Sequence, residues 1–199
     1  MRPDRPFLSR AAALPALLAV AAITAGCASE PTAPTVREYL DEQTAATVTV
    51  AGNGLVFARS RTEYAVNARD YVTVIPVDVN RTGSHAQYLY CYVWSTIDKP
   101  NASDAPTDFE LVADGRQIKL APAAATPRAI GLGEAPIEPP ALNARVLVAS
   151  TSREVLAFLA RAQEMSVVAT RNGLTERYDL WKDERGALEE FLQGPVPVR

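Results

Sequence analysis

Gln87-Tyr88-Leu89-Tyr90-Cys91-Tyr92-Val93-Trp94-Ser95-Thr96 is the stretch whose reading decides the fold. Successive side chains of a strand point to opposite sheet faces. Tyr88, Tyr90, Tyr92 and Trp94 therefore share one face, and Leu89, Cys91 and Val93 share the other. Both faces are apolar, as in a strand covered on both sides. The stretch predicts a central strand, with its aromatic face under the C-terminal helices or a second sheet. The other reading of the same residues is a binding strip of Tyr88, Tyr90, Tyr92 and Trp94 for sugar rings or a protein partner, because exposed apolar patches mark interaction sites.

Outward from this strand, short β runs alternate with turn residues. The runs are Ala46 to Val50, Leu55 to Arg59 and Tyr71 to Val79, with turns at Gly52-Asn53-Gly54 and Arg81-Thr82-Gly83-Ser84. A hairpin follows at Asp108 to Val112, Asp114-Gly115 and Gln117 to Leu120. Residues 121–142 hold Pro122, Pro127, Pro136, Pro139 and Pro140 with Gly131 and Gly133, which neither a helix nor a ladder tolerates. That segment reads as a long surface loop.

Beyond it the pattern changes to β-α-β-β-α. A strand at Arg145 to Ala149 meets Thr151-Ser152-Arg153-Glu154, a capping box opening a helix with Val155, Leu156, Phe158 and Leu159 at helical spacing. Met165 to Arg171 and Leu174 to Trp181 flank Asn172-Gly173, a hairpin signal. Asp183 starts a last helix that buries Leu188, Phe191 and Leu192, and Gly194-Pro195 stops it. The predicted class is α+β: a mainly antiparallel β sandwich or meander with a C-terminal β-α-β-β-α segment.

The first 26 residues read differently. Arg2, Arg5 and Arg10 stand against Asp4, and no charge occurs from Ala11 to Gly26. That is a positive region followed by an apolar one, too short to span a bilayer core of about 30 Å. It ends on Ile23-Thr24-Ala25-Gly26-Cys27, which resembles the lipobox of bacterial lipoproteins, with Thr24 where that class prefers Leu. The resemblance implies cleavage before Cys27, lipid on that cysteine and membrane attachment without a transmembrane helix. More than one acyl chain gives stable anchoring. Ala28 in place of Asp implies the outer membrane, facing the periplasm.

Three organisational units follow: 1–26 as signal peptide, 27–34 as lipidated cysteine and tether, and 35–199 as a single mostly-β domain. The tether reaches roughly 23 Å when extended, so the body stays close to its membrane.

Residues distributed over the first half of the body are similar to those of an uncharacterised family of short proteobacterial lipoproteins. They are Tyr39-Leu40-Asp41, Val56-Phe57-Ala58-Arg59, Asn67-Ala68-Arg69-Asp70-Tyr71, Val79-Asn80-Arg81 and Trp94-Ser95-Thr96. This resemblance implies the address and no activity.

The whole chain has formal charge −3; the leader carries three arginines and one aspartate, so the mature body stands at −5. An acidic body argues against nucleic acid. With Cys27 lipidated, Cys91 has no disulfide partner in the chain. Its place between Leu89 and Val93 makes it a small core residue rather than a reactive thiol.

His85 is the single histidine, so a serine triad must use it, and no Gly-x-Ser-x-Gly elbow exists. One His and one buried Cys serve zinc poorly. The oxygen-rich run Asp98 to Asp104 fits no EF-hand spacing. Neither a metal nor a cofactor is implied, and no residue is assigned a catalytic role.

The reading that results is a non-enzymatic envelope lipoprotein, a binding or assembly module. Its partners are membrane lipid through its acyl chains and an envelope protein or the cell wall. Two alternatives stay open. One is a periplasmic enzyme drawing on Asp98, Asp104, His85 or Asp179. The other is a small-ligand carrier with an apolar pocket between sheet and helices.

Overall fold

β4 (Arg69–Arg81), thirteen residues long, organises the molecule. Val72 to Val79 are all buried, so both faces of this strand are covered. A computed structural model describes residues 35–97, 108–120, 122–124, 126–171 and 173–194. On one side β4 pairs along nearly its whole length with β5 (Ser84–Ser95), from Asp70↔Ser95 to Arg81↔Ser84. The β4–β5 hairpin closes through Thr82 (φ 49°) and Gly83 (φ 87°), the paired left-handed conformations of a two-residue turn matched to strand twist.

On its other side β4 has two partners in succession. β3 (Leu55–Ser60) pairs with its first half and β2 (Ala46–Ala51) with its second, both antiparallel to it. β2 and β3 therefore run in the same direction. Gly52-Asn53-Gly54 is a jog in one long edge, not the hairpin turn that the sequence predicts. A Cβ on Gly54 would lie 2.6 Å from the Val74 carbonyl oxygen, so only glycine permits this approach. Pro76, which has no N–H to give, stands where the ladder on that side is interrupted, between Val74↔Leu55 and Val77↔Val50.

The jog splits the sheet into two lobes. Through β3 it continues to β11 (Leu174–Lys182), β10 (Met165–Arg171), β6 (Asp108–Ala113) and β7 (Arg116–Lys119). Through β5 it continues to β9 (Arg145–Thr151) and β8 (Pro122–Ala124), and β2 carries β1 (Val36–Asp41). Every pairing is antiparallel. One continuous curled sheet, a half-barrel, stands in place of the sandwich that the sequence pattern also allowed.

Two helices fill the concave side. Leu156 and Leu159 of α1 (Arg153–Arg161) and Leu188 and Phe191 of α2 (Arg185–Gln193) pack against Phe57, Val72, Val74, Leu89, Cys91 and Tyr178. Ser152, rather than Thr151, caps α1: its side chain accepts the Val155 N–H at 3.4 Å, while Thr151 remains in β9. Asp183 accepts the Arg185 N–H at 3.1 Å just before α2, whose cap position is Glu184. Cys91 is 1% exposed, and burial pushes its thiol up to about 12.

Residues 126–144 cross the opposite face as a strap. Ile130 (6% exposed) and Leu132 (0%) enter a second core with Tyr90, Tyr92, Val77, Val79, Val48 and Val148. This is a correction to the surface-loop expectation for 121–142. Only Pro122–Ala124 of this stretch joins the sheet, as β8; from residue 126 onward its contacts come from single residues. Asp41 accepts the Gly133 N–H at 2.6 Å, the Tyr92 hydroxyl donates to the Ile137 carbonyl at 2.5 Å, and Arg37 and Arg81 donate to the carbonyls of Pro136 and Gly131. Gly131 has φ 79°, and a Cβ there would fall on the Arg81 guanidinium.

The Gly133 N–H holds the Asp41 carboxyl below the usual aspartate range. A lowered folded-state pKa contributes stability above the unfolded value, and that contribution disappears as pH falls through the folded one. Asp41→Asn is therefore expected to speed amide exchange in residues 130–138 at neutral pH. Once pH has fallen through the lowered folded-state value, the two proteins should exchange alike. Equal exchange at neutral pH would show that Asp41 does not hold the strap.

Candidate functional site

The sequence singled out the aromatic strip, His85, several aspartates and Cys27, and the fold separates them. Tyr90 is 1% and Tyr92 3% exposed, beneath the strap. Tyr88 and Trp94 at the two ends are half-buried. The helices cover the opposite face of β5, through Leu89 and Cys91, so the strap does what the sequence reading assigned to them. Cys27, Asp98 and Asp104 lie outside the described residues.

His85 lies on the helix-side face of β5, past the end of the apolar core. Its Nδ1 is 2.7 Å from Asp78 Oδ2. The imidazole is 56% exposed and the Asp78 side chain 11%. Asp78 belongs to a row of register partners, Glu38↔Thr49↔Asp78↔Gln87↔Thr151, whose members alternation alone could not have joined. Two oxygens in this row, Asp78 Oδ1 and Thr151 Oγ1, are buried without a partner. A carboxylate on Nδ1 fixes the imidazole tautomer and leaves Nε2 to exchange a proton. Ser84, adjacent in sequence, falls on the other strand face by alternation.

Asp179 is on the outer surface, 77% exposed and bonded to Arg177 at 2.9 Å. It does not converge with His85. Among the described residues no group of three or more His, Cys, Asp or Glu could hold a metal. Between helices and sheet the crevice lined by Leu55, Val74, Leu89, Leu159 and Leu188 measures about 10 Å³, room for one water at most.

The outer face of the half-barrel carries a different arrangement. Because Phe57, Tyr178 and Val72 point into the helix-side core, alternation turns Val56, Ala58 and Ser60 of β3 outward. Arg177 and Asp179 of β11 and Arg69, Tyr71 and Thr73 of β4 share that face. Register aligns Asp179↔Ala58↔Tyr71↔Trp94. β3 is thus a floor of small side chains between two taller walls, two strand spacings or roughly 10 Å apart.

The β11 ladder slips between Leu180 and Lys182, a bulge that re-aims Trp181. Its ring stands 59% exposed. Across the floor, the Arg69 guanidinium carbon lies 4.6 Å from the Trp181 ring centroid. Tyr71 and Trp94 stack at 4.2 Å and 16°, with the Trp94 Nε1–H donating to Thr73 Oγ1 at 3.2 Å. Sequence reasoning placed Trp181 at a strand end and gave it no role; its signal was an aromatic next to Lys182-Asp183, where the β pattern ends.

No family model, curated protein or solved structure matches this chain.

Proposed function

We propose that this protein is a lipid-anchored envelope binding module, held to the outer membrane through acylated Cys27 and presenting the groove along β3 to its ligand. The observation that carries the binding half of this reading is Trp181, a large ring standing clear of the sheet beneath an arginine. Such a ring offers stacking area at little entropic cost, and its placement opposite the helix-filled core frees it from a packing role. The sequence up to Cys27 supports the address. No helix among the described residues is long and apolar enough to cross a membrane.

Both halves are testable. Cys27→Ala is expected to abolish labelling by a clickable palmitate analogue and to release the protein from the membrane fraction or leave it uncleaved; equal labelling of wild type and variant would refute the anchor. A photoreactive residue at Arg177 in the host is expected to give adducts of raised mass that Trp181→Ala removes. No adduct, or an adduct indifferent to Trp181, would refute the binding surface.

The Asp78–His85 pair favours a second reading, acid–base chemistry at the edge of the helix-side face. Replacement of His85 by Gln separates the two, since the groove lies on the other face. Adducts at Arg177 should survive it.

A further inference from the structure

We infer that β1 (Val36–Asp41) is an interface strand, pairing antiparallel with the β1 of a second copy of this chain so that the two sheets join edge to edge. Among the described residues the sheet ends on three strands, β1, β7 and β8, each paired on one side only. An unpaired edge templates another strand unless its own residues prevent it. β8 has three residues and begins with Pro122. β7 has four, and pairing all of them with their own copy sets Arg116 against Lys119, which repels. β1 has six residues and no proline.

Backbone parity fixes which groups face outward. The Gly52 N–H donates to the Thr35 carbonyl at 2.7 Å, and Val36↔Ala51 continues that register. Hydrogen-bonded and non-hydrogen-bonded pairs alternate along an antiparallel ladder. Arg37, Tyr39 and Asp41 therefore spend their backbone groups on β2, while Val36, Glu38 and Leu40 turn theirs to the free edge. Leu40 stands 60% exposed there.

Charge then selects the register. A two-fold dimer must set outward-facing residues against outward-facing ones, so its axis passes through a residue and not between two. Centring on Arg37 or Glu38 sets a charge against its own copy, and centring on Leu40 brings Glu38 to the partner's Glu42. Centring on Tyr39 sets Arg37 against the partner's Asp41, twice by symmetry, and Glu38 against the partner's Leu40. Opposite charges directly across a ladder stabilise it. Both groups have capacity left: Arg37 gives the strap only its Nη2, and the Asp41 oxygens, which accept from Gln43 and Gly133, each keep a second lone pair. Six paired residues make a small interface, so the association is reversible.

The test uses the full chain in detergent micelles with Cys27→Ser, so that oxidation reads introduced thiols; Cys91 is buried. Opposed non-hydrogen-bonded residues lie about 4.5 Å apart at Cα, within the span of a disulfide. Tyr39→Cys is therefore expected to form a disulfide dimer on mild oxidation. Glu38→Cys, facing the partner's Leu40, should form roughly tenfold less. In the Tyr39→Cys background, Arg37→Asp alone and Asp41→Arg alone should each cross-link about fivefold less, since each then faces like charge. Mixed, the two variants present opposite charges at both positions, and cross-linking should return as heterodimer. Sedimentation of the same charge variants with Tyr39 intact, singly and mixed, reads the association without the new thiol, and it decides the matter should Tyr39→Cys fail to fold. A folded Tyr39→Cys that forms no disulfide, a stronger cross-link from Glu38→Cys, or a mixture that associates no better than either variant alone would overturn the inference.

Discussion

Tyr90→Ala is expected to lower the unfolding free energy by about 3 to 5 kcal/mol, the cost of truncating a large buried aromatic. Tyr90 is 1% exposed and sits at the centre of the strap-side core among Ile130, Leu132, Val77 and Val148. Its ring is tilted 58° to Tyr92 at 5.4 Å, so the neighbouring ring loses a partner as well. Trp94, two residues on along the same strand face, is half-buried and stacks on Tyr71 at the margin. Its replacement by Ala should cost about 1 to 2 kcal/mol, a partial burial plus one aromatic pair. Urea titrations of the two variants measure the contrast. Equal midpoints would mean that the strap does not close over the strip, and Tyr90 would then be available as a binding residue.

Asp70→Ala should destabilise by a similar amount for a different reason. The β3–β4 connection folds back through Arg61 N–H to Ala68 C=O at 2.8 Å. Within it the Arg61 guanidinium, 6% exposed as a residue, meets Asp70, 3% exposed, at 2.5 Å. Glu63 bonds its Nε at 2.5 Å from a side chain 54% exposed, and the Tyr64 ring lies 4.9 Å from its guanidinium carbon. These carboxylates hold the Arg61 pKa up, so the arginine stays charged when one is removed. A buried charge stripped of its buried partner costs about 3 to 5 kcal/mol, whereas replacing both by apolar residues of like volume is often neutral. The double variant Arg61→Met with Asp70→Leu should therefore recover most of the loss, a coupling that a double-mutant cycle reads directly. If Asp70→Ala unfolds within about 1 kcal/mol of wild type, the pair is not what fastens this loop.

Much of the local structure was legible because it depends on neighbours in sequence. The Thr82-Gly83 and Asp114-Gly115 turns adopt positive φ, readily at Gly83, Asp114 and Gly115 and against the preference of a β-branched residue at Thr82, and each closes the expected hairpin. Period-two alternation put Cys91 with Leu89, where both are buried. The one-residue error at the first helix, Thr151 for Ser152, is the ambiguity of two adjacent hydroxyl residues that can each cap. Gly52-Asn53-Gly54 misled because its composition suits a turn and a jog equally. Only the pairing of β2 and β3 with one long neighbour shows which it is.

The candidate site was less legible. Asp78 and His85, seven residues apart, meet across a hairpin, and Arg69 and Trp181 meet across β3 although 112 positions separate them in sequence. Strand order and register bring such pairs together, and neither leaves a local pattern. By itself the sequence determined most of the strands and their faces, the turns at Thr82-Gly83 and Asp114-Gly115 and the two C-terminal helices, since each follows from side-chain period and backbone preference within a few residues; β1 and β8 left no such signal. Tertiary structure alone decided that the sheet curls around the helices rather than pairing with a second sheet, because a curled sheet can bury both helices' apolar stripes on one face. It also decided that the proline-rich segment, which beyond its short β8 forms no ladder yet carries Ile130 and Leu132, covers the aromatic face that curling leaves open.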